Sequence, residues 1–149
     1  MISLLLSFAF ALVVTFGFCI LFHVPKRHIP AACFIGASGW MCFEFCGLNG
    51  YDQVASCFMA ACLVAFLSDI CSRIFKEAIT IFVIPGILPL VPGARAYHTM
   101  TAFIANDFDK TLTFGTETVF MACSIALALM AVASTMKVIV FISRRLTQL

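Results

Sequence analysis

Residues 85–93 read Pro-Gly-Ile-Leu-Pro-Leu-Val-Pro-Gly, and Arg95, Tyr97 and His98 follow at once. Three prolines and two glycines within nine residues remove amide donors and helical stiffness, so the backbone is expected to unwind there. Bare carbonyls accept hydrogen bonds from ammonium or hydroxyl groups. A half-helix beginning near Ala94 aims its free amides and positive dipole end back at the same spot, which suits a carboxylate. Arg95 and His98, at i and i+3, share a face of that half-helix. The chemistry on offer is therefore capture of a small polar solute. Pro85, Gly86, Pro89, Pro92, Gly93, Arg95, Tyr97 and His98 form the candidate binding and hinge set. Glu44 is a further titratable candidate, either a proton-coupling carboxylate or a water-facing residue at a helix end. Arg95 has an alternative role, pairing with Glu44 or Asp69 of a neighbouring helix.

Bond-making chemistry has no such support. There is no H-E-x-x-H, no aspartate pair at mid-span and no Ser/His dyad, so neither an enzyme nor a metal or cofactor site is expected. Nothing resembles a ring of charges or a repeated carbonyl filter, which speaks against a channel. The eight cysteines fall almost entirely inside apolar runs, without a C-x-x-C pair, and read as small apolar filler.

The elements that position these residues are membrane spans. Of the 149 residues 63% are hydrophobic and only 11% charged, with mean hydropathy +1.12, which excludes an ordinary soluble domain and a nucleic-acid partner. A span needs ~20 residues to cross ~30 Å of hydrocarbon. Apolar runs of that kind predict an all-α integral membrane protein forming a single domain over 1–149, with spans at about 2–22, 29–48, 52–71, 77–105 and 116–142. The first run lacks a basic leader and a cleavage site and reads as a retained helix. The fourth contains the Pro/Gly stretch. Its two flanking pieces, each about half a membrane long at ~1.5 Å per residue, put the break near mid-depth. An arginine at that depth costs at least ~2.5 kcal/mol unless paired or wet, and so counts as a functional candidate.

Lys26, Arg27, Arg73, Lys76, Arg144 and Arg145 fall on one side of a five-span arrangement, and Asp52, Asp107, Asp109, Lys110 and Glu117 on the other. Positive charge marks the cytoplasm, so the amino terminus is expected outside and the carboxyl terminus inside. Asn49-Gly50 predicts a tight turn, and Asp69 and Arg73 an i, i+4 pair. Thr116 and Glu117 suit the start of the last helix, along which Ala122, Ala126 and Met130, and Ser124 and Ala128, recur at four-residue spacing for close packing.

The run from Val83 to Met100 resembles the Pro-rich motif of the threonine/serine exporter (ThrE) family, through Pro85, Pro89, Pro92, Gly93 and Tyr97. Residues 16–27, from Phe16 to Arg27, resemble the first helix and loop of that family's small, split-type subunits. Arg95 stands at a position the motif does not fix. The resemblance implies a multi-pass protein of the bacterial inner membrane that exports small metabolites. It also implies a larger YjjP-like membrane subunit as partner, because the family's cytoplasmic amino-terminal region is not in this chain. Two five-span halves must lie oppositely oriented, the plan on which alternating access is built. The expected cargo is a small carboxylate, succinate or another dicarboxylate first. Threonine/serine export, or a non-catalytic membrane scaffold for the partner, are the alternatives.

Overall fold

A computed structural model describes residues 2–146, with side-chain surroundings for most positions between 4 and 139. Six α-helices account for nearly all of it: α1 (Ile2–Leu21), α2 (Ile29–Leu48), α3 (Gln53–Phe75), α4 (Thr80–Ile87), α5 (Gly93–Ile104) and α6 (Phe108–Leu146). A 3-10 turn, Leu88–Leu90, continues α4. No strand occurs among the described residues.

Local chemistry sets the boundaries. Pro30 lies in the first turn of α2, where its missing amide costs nothing. Asp52 caps α3 through a bond from the Val54 amide, 3.4 Å. Three helix ends turn off through residues of positive φ, His23, Lys76 and Asn106, and Gly50 (φ 82°) makes the α2–α3 turn. Asp107 accepts from the Lys110 amide at 3.2 Å, which starts α6 at Phe108 and not at the expected residue 116. The nearer cap wins because Thr116 spends its hydroxyl on the carbonyls of Leu112 and Thr113 inside a helix already running.

Helix α2 is central and packs against α1, α3 and α4. Its glycines permit this. A Cβ on Gly36 would lie 2.5 Å from Thr15 Oγ1, and one on Gly39 would come closer still to Val64 Cγ2. Gly86 of α4 meets Ile35 and Val64 in the same way, each methyl 3.2 Å from a would-be Cβ. Phe82, Ile35 and Val64 are fully buried between these helices. A second cluster joins α3 to α6 through Cys57, Ala61, Met121, Ile125 and Ala128. Of the two small-residue rows predicted in the last helix, Ser124 and Ala128 are buried and Ala122 and Ala126 face outward.

Both basic loops lie at one end of the bundle. His28, buried after Lys26 and Arg27, sits edge-on to Phe75 and Phe82, with Nε2 3.5 Å from the Glu77 carboxylate. The expected Asp69–Arg73 pair forms on the last turns of α3, with Arg73 Nη2 donating to Asp69 at 3.2 Å. Arg144 and Arg145 belong to the stretch whose side chains are outside the described residues.

Among the described residues three helices are long and apolar enough to cross a membrane: Ile29–Leu48, Gln53–Phe75 and Phe108–Ile139. The bent pair Thr80–Leu90 and Gly93–Ile104 makes a fourth when counted as one, and the apolar part of α1, Leu6–Leu21, is shorter. Large apolar side chains point outward along α1 and α6, Phe10, Val13, Leu127 and Met130 among them, as suits a lipid solvent.

The Pro/Gly stretch differs from expectation in extent and position. Helix persists through Pro85 and Gly86, tightens at Leu88–Leu90 and breaks only at Val91 (ψ 129°) and Pro92 (ψ 54°), with a bend of 47°. Burial of Phe82, Pro85, Gly86 and Leu90 between α2 and α3 holds the coil despite the absent proline donors. The Leu90 carbonyl accepts from Cys57 Sγ (3.9 Å), four residues inside the start of α3. That places the bend roughly 6 Å from the end of that helix and away from its midpoint.

Candidate functional site

Beyond the bend, the α5 backbone packs on α6 and runs antiparallel to it. Thr99 lies against Gly115, and the His98 ring is 5.9 Å from that of Phe114. One helical turn from each contact, Arg95 meets Glu117 in an ion pair. The same guanidinium donates from Nη2 to Gln53 Oε1, the first side chain of α3. Arg95 and His98 thus share the face predicted for them. Arg95 pairs with neither Glu44 nor Asp69, because the antiparallel register of α5 and α6 delivers Glu117 instead.

Arg95, Gln53 and Glu117 line a cavity of about 520 Å³, together with Asp52, Thr113 and Thr116. Its walls combine one guanidinium, two carboxylates, an amide and two hydroxyls with the apolar side chains of Val54, Phe120 and Met121. Thr113 donates to the Asp109 carbonyl and Thr116 to those of Leu112 and Thr113, so both oxygens keep lone pairs free to accept. The arrangement can hold a carboxylate and an ammonium at once, with a hydroxyl between them. Because Gln53 begins α3, Arg95 sits at the end of the bundle and not at mid-depth, which lowers the cost of its charge.

The remaining predicted residues scatter. Pro85 and Gly86 are buried packing residues against α2 and α3, and Pro92 is half-buried at the bend. Gly93 is open, since a Cβ added there would have no atom within 4 Å, so steric sensitivity belongs to Gly86. Tyr97 is 68% exposed. His98 is exposed, its ring edge-on to Tyr97 and tilted against Phe114. Pro89 lines a different cavity, of about 360 Å³, with Glu44 and Trp40 of α2. Sequence reasoning left out Gln53 and Thr113 and gave Thr116 and Glu117 only a role at the start of the last helix. The available signal was the isolated acid Glu117 among Thr111, Thr113, Thr116 and Thr118, a polar stripe at the head of an otherwise apolar helix.

Comparison with known proteins decides the family. The Threonine/Serine exporter, ThrE family matches residues 7–135 of this chain. The chain belongs to the ThrE family. That match covers the bend, the Arg95 cavity and all but the ends of the ThrE-family chain. A curated relative, an uncharacterized protein of Haemophilus influenzae (strain ATCC 51907 / DSM 11121 / KW20 / Rd), is 26% identical over 104 residues. The aligned part is 70% of this chain and 35% of that relative, so the chain spans about a third of the relative's length. No solved structure matches the chain.

Proposed function

We propose that this chain is the membrane half of an exporter of threonine, serine and similar small amino acids, with cargo bound in the Arg95 cavity. The observation that carries the reading is the Arg95 guanidinium held between Glu117 and Gln53 on the polar side of a cavity whose other walls are apolar. A zwitterion satisfies such a wall. Its carboxylate takes the guanidinium, its ammonium takes Glu117 or Asp52, and its hydroxyl reaches Thr113 or Thr116. A dicarboxylate such as succinate brings a second negative charge against two acids. At ~4 Å and an effective dielectric of ~20 that repulsion is about 4 kcal/mol, enough to favour the amino acid.

In this reading the chain crosses the bacterial inner membrane five times, with α1 as the first crossing and α4, the 3-10 turn and α5 as the bent fourth. A bend of 47° leaves α5 moving away from the end where α4 enters, which supports crossing over re-entry. The basic loops around His28 and Glu77 face the cytoplasm. A larger membrane subunit of opposite orientation completes the transporter, in keeping with a relative about twice as long as this chain.

The test is export of labelled threonine, serine and succinate from cells carrying this chain with and without that companion. Threonine or serine should leave faster only with both. Arg95→Gln should cut that export roughly 10- to 100-fold, the worth of a charge-assisted bond, while the protein still inserts. Unchanged export by this variant, or movement of succinate alone, would sink the proposal.

A further inference from the structure

The end of the bundle that carries the basic loops has a groove of its own, of about 210 Å³. Phe22, His23 and Pro25 of the α1–α2 connection wall it on one side, and Thr80, Ile81 and Ile84 of α4 on the other. Val24 and Pro85, both buried, close its floor. Phe22 and Ile84 are exposed, so the groove opens on the outer surface of the bundle, where lipid is the solvent.

Cations stand beside the mouth on two braced loops. Lys26 and Arg27 follow Pro25 in a turn closed by the His28 amide, which donates to the Pro25 carbonyl at 2.8 Å. Lys76 ends α3 with positive φ (55°). It is fixed by the Glu77 amide on the Ser72 carbonyl, 3.1 Å, and the Ser72 hydroxyl on the Glu77 carbonyl, 2.6 Å. His28 ties the loops together, its ring centroid 5.0 Å from that of Phe75 and its Nε2 3.5 Å from the Glu77 carboxylate. The acids at this end, Asp69 and Glu77, are thus engaged by Arg73 and His28. Lys26, Arg27 and Lys76 are exposed, and among the described residues no carboxylate lies within 4.0 Å of them. At the other end Arg95 and Lys110 each have one.

Cations without acids, beside an apolar groove that faces lipid, call for a molecule anionic at one end and apolar at the other. A free phosphate satisfies the cations but leaves Phe22 and Ile84 bare. A neutral lipid covers the groove but does not answer the charge. We propose that the groove seats an acyl chain of an anionic phospholipid whose phosphate lies against Lys26, Arg27 and Lys76. The proposal is independent of what the chain exports. A lipid seated there joins the end of α1 to the start of α4, the end of the bent pair opposite the bend. Each cation at a membrane surface is worth about a fivefold preference for an anionic over a neutral headgroup.

The experiment uses this chain purified in detergent and offered three probes: dioleoylphosphatidylglycerol, phosphatidylcholine with the same acyl chains, and glycerol 3-phosphate. Native mass spectrometry reads the bound lipid, and a thermal melt reads its effect. Phosphatidylglycerol should bind at least about tenfold more tightly than phosphatidylcholine and raise the melting temperature further. The triple variant Lys26→Gln, Arg27→Gln and Lys76→Gln should hold phosphatidylcholine as the wild type does and lose that preference. Lys110→Gln, which removes a cation at the other end, should keep it. Ile84→Trp fills the groove from its exposed side and should weaken both lipids alike, by roughly fivefold. Equal binding of the two lipids by the wild type would overturn the proposal. So would a preference that survives the triple variant, or binding that Ile84→Trp leaves unchanged. Displacement of phosphatidylglycerol by equimolar glycerol 3-phosphate would also overturn it, since the site would then be one for a free anion. If the triple variant does not fold, the wild-type comparison and Ile84→Trp decide.

Discussion

Arg95 ties three helices together, since it belongs to α5, pairs with Glu117 of α6 and donates to Gln53 of α3. A purely mechanical tie and a cargo ligand make different demands on this side chain. Exchanging the charges, Arg95→Glu with Glu117→Arg, keeps an ion pair across α5 and α6 but reverses what the cavity presents to a zwitterion. The double variant should insert and melt near the wild type yet export threonine no better than Arg95→Gln, which a transport assay beside a thermal melt in detergent would show. Asp107 is a simpler case. The Lys110 ammonium, then the Lys110 amide, hold its carboxyl below the usual carboxylate range. A depressed value in the folded chain adds stability above the unfolded carboxylate range and loses it as pH falls through the folded value. Protection of the Lys110 and Thr111 amides, as exchange relative to an unstructured chain at the same pH, should therefore fall only in acid, and Asp107→Ala should remove that acid-dependent fall.

At the scale of elements, glycine placement and not proline count explains how the bent helix is held. Gly39 has stiff, fully buried Val64 against its missing Cβ, and Gly36 has Thr15, whose hydroxyl is committed to the Ala11 carbonyl at 2.8 Å. Neither neighbour can swing aside cheaply. Gly39→Ala should cost about 1–3 kcal/mol through overpacking, read as a lowered melting temperature. Gly93→Ala meets nothing within 4 Å and should be neutral or slightly stabilising, since it only removes freedom from the unfolded chain. Equal losses at both positions would mean that α2 does not approach its neighbours so closely. The same packing accounts for the short break: with Pro85 and Gly86 clamped between α2 and α3, only the residues past Leu90, where cover ends, leave the coil.

At the scale of the whole molecule, α6 is the long member. Its 39 residues measure roughly 58 Å, nearly twice the ~30 Å of a hydrocarbon core. From Glu117, level with the start of α3, it continues nine residues to Phe108, so α5 and the head of α6 stand about 14 Å beyond the rest of the bundle as a hairpin. Tyr97, Met100 and Ile104 face outward along it at helical spacing, 68%, 61% and 74% exposed. If the proposed companion subunit exists, this exposed apolar row is the surface we propose it meets. Replacing the three by alanine should weaken co-purification with that subunit while the chain still enters the membrane.

How much of this was legible beforehand depends on distance along the chain. Length, composition and the clustering of lysine and arginine between apolar runs required a helical membrane protein, because each span carries its own hydrophobic length and the α2–α3 turn its own Asn-Gly. The Asp69–Arg73 pair and the shared face of Arg95 and His98 were equally plain, being set by helical spacing alone. What meets Arg95 was not. Glu117 lies 22 residues on, and Gln53 42 residues before, so only the register of α5 on α6 and of α6 on α3 brings them to one guanidinium. The depth and length of the break were decided in the same way: proline chemistry is local, but whether a coil survives it depends on the buried contacts around it, and those come from helices folded in from elsewhere in the chain.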